Sequence, residues 1–151
     1  MKVIIKITLK WNGKGYDINH NILYELKDGN GKVKEYDRNG VLIFEGEYLN
    51  GVKNGKGKEY FYNGRLKYEG EYLNGKKWNG LIYNLNDNKE STLTNGNGYI
   101  KEYDYNGKLI FEGEYINWKR NGKAKDSYDK GKLKLVVEYL NGERIVFYLC
   151  K

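Results

Sequence analysis

Three Glu-Gly-Glu triplets offer this chain its nearest approach to acid–base chemistry: Glu45 and Glu47, Glu69 and Glu71, Glu112 and Glu114. Two residues apart, each pair lies on one side of an extended strand. Paired carboxylates can divide general acid and general base roles. A catalytic pair is usually unique, however, and these recur in every unit of the chain, as structural residues do. Gly55-Lys56-Gly57 is a fragment of a phosphate loop with no helix after it. Ser91 and Ser127 are the only serines, and neither sits in a nucleophile elbow. His20 is a lone histidine in a polar turn and Cys150 a lone cysteine in the last strand, so no metal-ligand spacing arises. These residues point away from an enzyme and imply no catalytic residue, metal, cofactor or small-molecule substrate.

The second chemistry within reach is anion binding. Lys53, Lys56 and Lys58, then Lys76 and Lys77, then Lys119, Arg120, Lys123 and Lys125 follow glycine-rich connections, with Trp118 inside the third cluster. If those connections share one edge of a sheet, the cations form a basic stripe. Such a stripe suits an anionic membrane, with Trp118 at the interface. It equally suits a solvated edge whose lysines discourage sheet-to-sheet aggregation. Lys58 is placed to pair across strands with Glu69 or Glu71. Trp11 and Trp78 are equivalent by repeat and suit packing beside a turn. Tyrosines beside lysines also raise base stacking, but here they alternate with glycine at core spacing.

These side chains are carried on a repeat. "NGKVKEYDRNGVLIFEGEYLNG" (30–51) realigns on "NGKGKEYFYNGRLKYEGEYLNG" (54–75) after a shift of 24. With a shift of 67, residues 11–43 match 78–110 at 18 of 33 positions and residues 44–67 match 111–134 at 13 of 24. The chain reads as one array, 1–151, built by tandem duplication of 1–67 and 68–134, with atypical capping strands at 1–10 and 135–151. Each repeat holds two extended runs. Asn39-Gly40, Asn63-Gly64 and Asn106-Gly107 join them and read as type I′ hairpin turns. The connection "LNGVKNG" reads as a longer loop. Alternation puts Phe44, Gly46 and Tyr48 on one face, with Tyr68, Gly70 and Tyr72, and Phe111, Gly113 and Tyr115, as its copies. The glycine leaves room for a neighbouring ring.

Composition agrees. The chain has 151 residues, no proline, 16 tyrosines and a formal charge of +7. So many aromatics oppose disorder. No apolar run approaches membrane-spanning length, and "MKVIIKITLK" is broken by lysines, unlike a secretory leader. One cysteine permits no internal disulfide, in keeping with a reducing, intracellular and cytoplasmic setting.

The motif Phe44-Glu-Gly46-Glu-Tyr48-Leu-Asn-Gly51-Val-Lys-Asn-Gly55-Lys-Gly57 resembles the MORN ("membrane occupation and recognition nexus") repeat. Tyr68-Glu-Gly70-Glu-Tyr72 and Phe111-Glu-Gly113-Glu-Tyr115 repeat its first half, but Trp118 and Ala124 replace two of its glycines. The resemblance covers most of 11–142. It implies an all-β, elongated, single-layer antiparallel meander of hairpins, with about fourteen short strands and no significant helix. It also implies a non-catalytic scaffold that binds protein partners, its own copies among them. The alternative it carries is a peripheral membrane adaptor that binds anionic phosphoinositide lipids through the basic edge; association with a membrane or the cytoskeleton stays open as the location. An RNA- or ribosome-associated role, suggested by charge and Tyr content alone, comes third.

Overall fold

The computed structural model describes residues 12–16, 20–127 and 134–149. Trp11, Cys150 and the expected capping strand at 1–10 lie outside these. Among the described residues there are thirteen strands and no helix. They are β1 (Gly13–Tyr16), β2 (Ile22–Leu26), β3 (Gly31–Tyr36), β4 (Leu42–Leu49), β5 (Val52–Tyr60), β6 (Leu66–Leu73) and β7 (Lys76–Tyr83). After them come β8 (Lys89–Leu93), β9 (Gly98–Tyr103), β10 (Leu109–Ile116), β11 (Lys119–Ser127), β12 (Lys134–Leu140) and β13 (Glu143–Leu149). Every strand pairs only with its neighbours in sequence, always antiparallel, in runs β1–β2, β3–β8 and β9–β13. This is the hairpin meander that the repeats imply.

The two kinds of connection exchange roles relative to expectation. "LNGVKNG" is not a loop. Asn50 and Gly51 alone form the turn, with φ of 52° and 76°, and Val52 already belongs to β5. Asn74-Gly75, Asn117-Trp118 and Asn141-Gly142 turn the same way, each with both φ values positive. These are the type I′ turns, whose twist matches that of the flanking strands. At Asn39-Gly40 only Gly40 has positive φ (81°). There the Asp37 carboxylate accepts the Asn39 and Val41 amides at 2.9 and 2.8 Å. That Asx cap stabilises a wider turn, and Asp104 repeats it.

The type I′ turns bond to the adjacent hairpin, at its turn or at the strand just past it. Gly51 N–H donates to Gly29 O, Gly75 to Lys53, Gly96 to Trp78, Trp118 to Gly96 and Gly142 to Arg120, at 2.8–2.9 Å. Asparagine side chains do the same from one turn to the next. Asn30 Oδ1 accepts Asn50 N–H, Asn54 accepts Asn74, and Asn97 accepts Asn117. The ladders are interrupted where Gly31 and Gly98 take φ of 152° and 157°. These two positions are one repeat of 67 apart, and short bridges, Lys27–Asn30 and Thr94–Asn97, precede them. Elsewhere, Tyr62 N–H reaches Tyr105 O across the short β7–β8 hairpin, and the two rings stack at 5.2 Å.

One face of the meander carries the core. Phe44, Tyr68, Phe111 and Val137 are at most 1% exposed. At Gly57 an added Cβ would lie 2.9 Å from both Phe44 and Tyr72, so the rings rest on bare backbone. They meet edge to face: Phe44 with Tyr72 at 5.5 Å, Tyr68 with Tyr72 at 5.4 Å, Phe111 with Tyr139 at 5.9 Å.

Candidate functional site

An ion-pair ladder roofs this aromatic layer. Glu35, Glu59, Glu102 and Asp126 project from β3, β5, β9 and β11 onto the ring face. Each accepts a phenol thirteen residues later, from Tyr48, Tyr72, Tyr115 and Tyr139. Each also meets a cation eighteen residues later: Lys53 at 3.3 Å, Lys77 at 2.8 Å, Arg120 at 3.0 Å, and Arg144. The cations lie over the rings, Lys53 Nζ 3.7 Å from the Phe44 centroid and Arg120 Cζ 4.1 Å from that of Phe111. Acid, phenol, cation and ring thus form a unit repeated along the face.

The electrostatics follow from burial and pairing. Burial works against the charge on Glu59, but the Lys77 charge and the bonds from Lys77 and Tyr72 more than offset it. The Glu59 carboxyl is therefore held below its ordinary range. Burial, then Glu59, pushes the Tyr72 phenol far above its usual value, and Tyr48 and Tyr115 shift likewise beside Glu35 and Glu102. Arg120, although desolvated, is held protonated by Glu102.

The sequence-predicted basic stripe divides into three groups. Lys53, Lys77 and Arg120 belong to the ladder just described. Lys56, Lys58, Lys123 and Lys125 lie on the opposite, outer face of β5 and β11, where Lys58 meets Glu69 at 3.4 Å and Lys125 meets Glu112 at 3.2 Å. Lys76 and Lys119 flank type I′ turns and are exposed. The cations therefore occupy strands on both faces, not loops along one edge. Trp118 takes positive φ (63°) in its turn, where the other type I′ turns have glycine. Its ring packs against Trp78 at 4.9 Å, tilted by 40°, and lies in the notch above Gly96, with Lys76 Nζ 5.3 Å from its centroid. His20 is exposed.

On the outer face, like charges line each strand and signs alternate between strands. β3 presents Lys32 and Lys34, β4 Glu45 and Glu47, β5 Lys56 and Lys58, β6 Glu69 and Glu71. Between the two charged rows the floor is backbone at Gly46, Gly57 and Gly70, and Leu23 closes one end. The groove they line holds about 520 Å³. Such a groove can hold side chains of a partner but presents no convergent catalytic set. Among the described residues no cluster of His, Cys, Asp and Glu could hold a metal ion.

The alternation along β4, β6 and β10 was legible, but Glu35, Glu59, Glu102 and Asp126 carried no local signal. Only their recurrence at fixed intervals before Tyr and Lys/Arg could have found them. Residues 29–50, 53–74 and 97–117 match the family model of the MORN repeat variant. The chain carries MORN repeats. Each matched segment opens at a type I′ turn or at the strand after one, and spans an acid, its ring and its phenol. MORN repeats commonly mediate protein or membrane interaction and are generally non-catalytic. No curated protein matches the chain.

Proposed function

We propose that this MORN array is a non-catalytic scaffold that binds protein through its outer sheet face. The observation that carries the reading is the fate of the cations. Lys53, Lys77 and Arg120 are engaged with Glu35, Glu59 and Glu102 on the ring face, and a cation already paired adds little attraction for a lipid phosphate. The outer face is zwitterionic, grooved and open, which suits a folded protein surface better than a uniformly anionic bilayer. The test is a photo-crosslinking residue placed at position 56 of the full chain in its native lysate. Discrete protein adducts are expected there and not from a control position at Asn106. Absence of adducts, with the chain recovered on anionic vesicles, would overturn the reading.

A second reading keeps one observation. Exposed Lys76 and Lys119 sit beside Trp118 at the type I′ edge, where Leu49 (46% exposed), Ile116 (41%) and Leu140 (56%) also project. That combination suits shallow contact with a phosphoinositide membrane. RNA stacking has less support, because Tyr68 and Tyr72 are buried in the ring layer.

A further inference from the structure

The stripes on the outer face have a symmetry. Across β3 to β6 the signs run plus, minus, plus, minus, two residues to a strand. Neighbouring strands lie about 4.8 Å apart and alternate residues roughly 6.8 Å apart along a strand. A partner that matches this lattice in both directions is itself a sheet with striped strands. A two-fold axis parallel to the strands, between β4 and β5, supplies one from the same chain. It sets β4 over the β5 of a second copy and β3 over its β6. Glu45 and Glu47 then face Lys56 and Lys58, and Lys32 and Lys34 face Glu69 and Glu71. A two-fold perpendicular to the strands would set like charges together, and among axes parallel to them the one between β4 and β5 matches all four charged strands.

We propose that the occupant of this groove is a second copy of the chain, docked face to face about that axis. This rests on the protein-binding reading of the outer face and names its partner. The face is available for it. Lys34 and Glu45 stand 3.8 Å apart with side chains 45% and 35% exposed, and Lys58 and Glu69 are comparably open. Lys32 and Lys56 make no ion pair among the described residues. Gly46, Gly57 and Gly70 turn their Cβ positions toward the rings, so the strand backbone between the two charged rows floors the groove into which lysine stems of the second copy would pass. The two-fold contact is closed, so it makes a dimer and no fibre.

The test is a charge exchange read by sedimentation equilibrium. One variant carries Lys56→Glu with Lys58→Glu, the other Glu45→Lys with Glu47→Lys. Each alone opposes like charges across the axis, and together they restore opposite charges at every contact. The wild type is expected to dimerise at about 50 mM salt, with Kd weakening roughly tenfold by 500 mM. Each variant should be monomeric and the mixture should form a heterodimer. A fold defect cannot produce that rescue. If either variant fails to fold by circular dichroism, Lys32→Glu with Lys34→Glu and Glu69→Lys with Glu71→Lys make the same exchange. A monomeric wild type, or variants that dimerise unmixed, would overturn the proposal. Adducts of a different protein at position 56 with a monomeric wild type would sink this dimer and leave the scaffold reading standing.

Discussion

At the scale of single residues, the ladder of acid, phenol and cation explains why so polar a chain closes a core on a sheet face. Glu59 is buried beneath Tyr72 and Lys77, and its ionised form is acceptable only while both remain. Tyr72→Phe removes one donor to a buried carboxylate and should cost about 1–3 kcal/mol in urea unfolding. Lys77→Met should cost about as much, and less on top of Glu59→Gln than on its own, because the charge it strands is then gone. The same shifts set two pH limits. The Glu59 carboxyl is depressed on folding, so its contribution is present above the ordinary carboxylate range and is lost as pH falls through the folded value. Tyr48, Tyr72 and Tyr115 are raised, so their contribution is present below pH 10 and is lost as pH climbs beyond it. Melting against pH should show a plateau with an acid and an alkaline arm, the acid arm reduced in Glu59→Gln. Phe44, Tyr68 and Phe111 were legible as core from period two alone. Lys53 was not, because "LNGVKNG" (49–55) reads as a loop, in which no alternation of faces applies.

At the scale of elements, glycine decides where rings can lie and turns decide how repeats join. Gly57→Ala should cost about 1–3 kcal/mol, since its methyl would enter the contact distance of two buried rings at once. Urea unfolding against the wild type measures it, and a value near zero would mean that the rings do not rest on this backbone. The hairpins were legible, but the turn types were exchanged. Asn-Gly is the strongest type I′ signal, and here it occurs at both connections. What separates Asn39-Gly40 and Asn106-Gly107 from the type I′ turns is the residue two before the asparagine: Asp37 and Asp104 cap their turns from the side chain, whereas Tyr48 cannot. At Asn63-Gly64 Phe61 stands there, and Asn63 Oδ1 accepts the Arg65 amide instead. At β7 the register shifts by one residue between Glu71 and Tyr72, which turns Lys77 onto the ring face against simple alternation. Nothing in the local sequence announces that bulge.

At the scale of the whole molecule, order along the chain is order within each sheet, because each strand pairs only with its neighbours in sequence. The repeats announced this, and so did the recurring glycines. The turn-to-turn bonds and the Tyr62–Tyr105 contact were hidden, since they join residues far apart whose types are ordinary. Net charge misled in the same way. The excess of +7 is real, but much of the cationic surface faces acids of neighbouring strands. A protein scaffold with internally paired cations should ignore anionic lipid under conditions where a free basic edge would bind it. The deciding measurement is co-sedimentation with neutral and phosphoinositide-containing vesicles at about 50 and 200 mM salt. The expected result is weak binding at the lower salt and none at the higher. Retention on the phosphoinositide vesicles at the higher salt, abolished by Lys76→Glu with Lys119→Glu, would contradict the scaffold and make the type I′ edge a membrane contact.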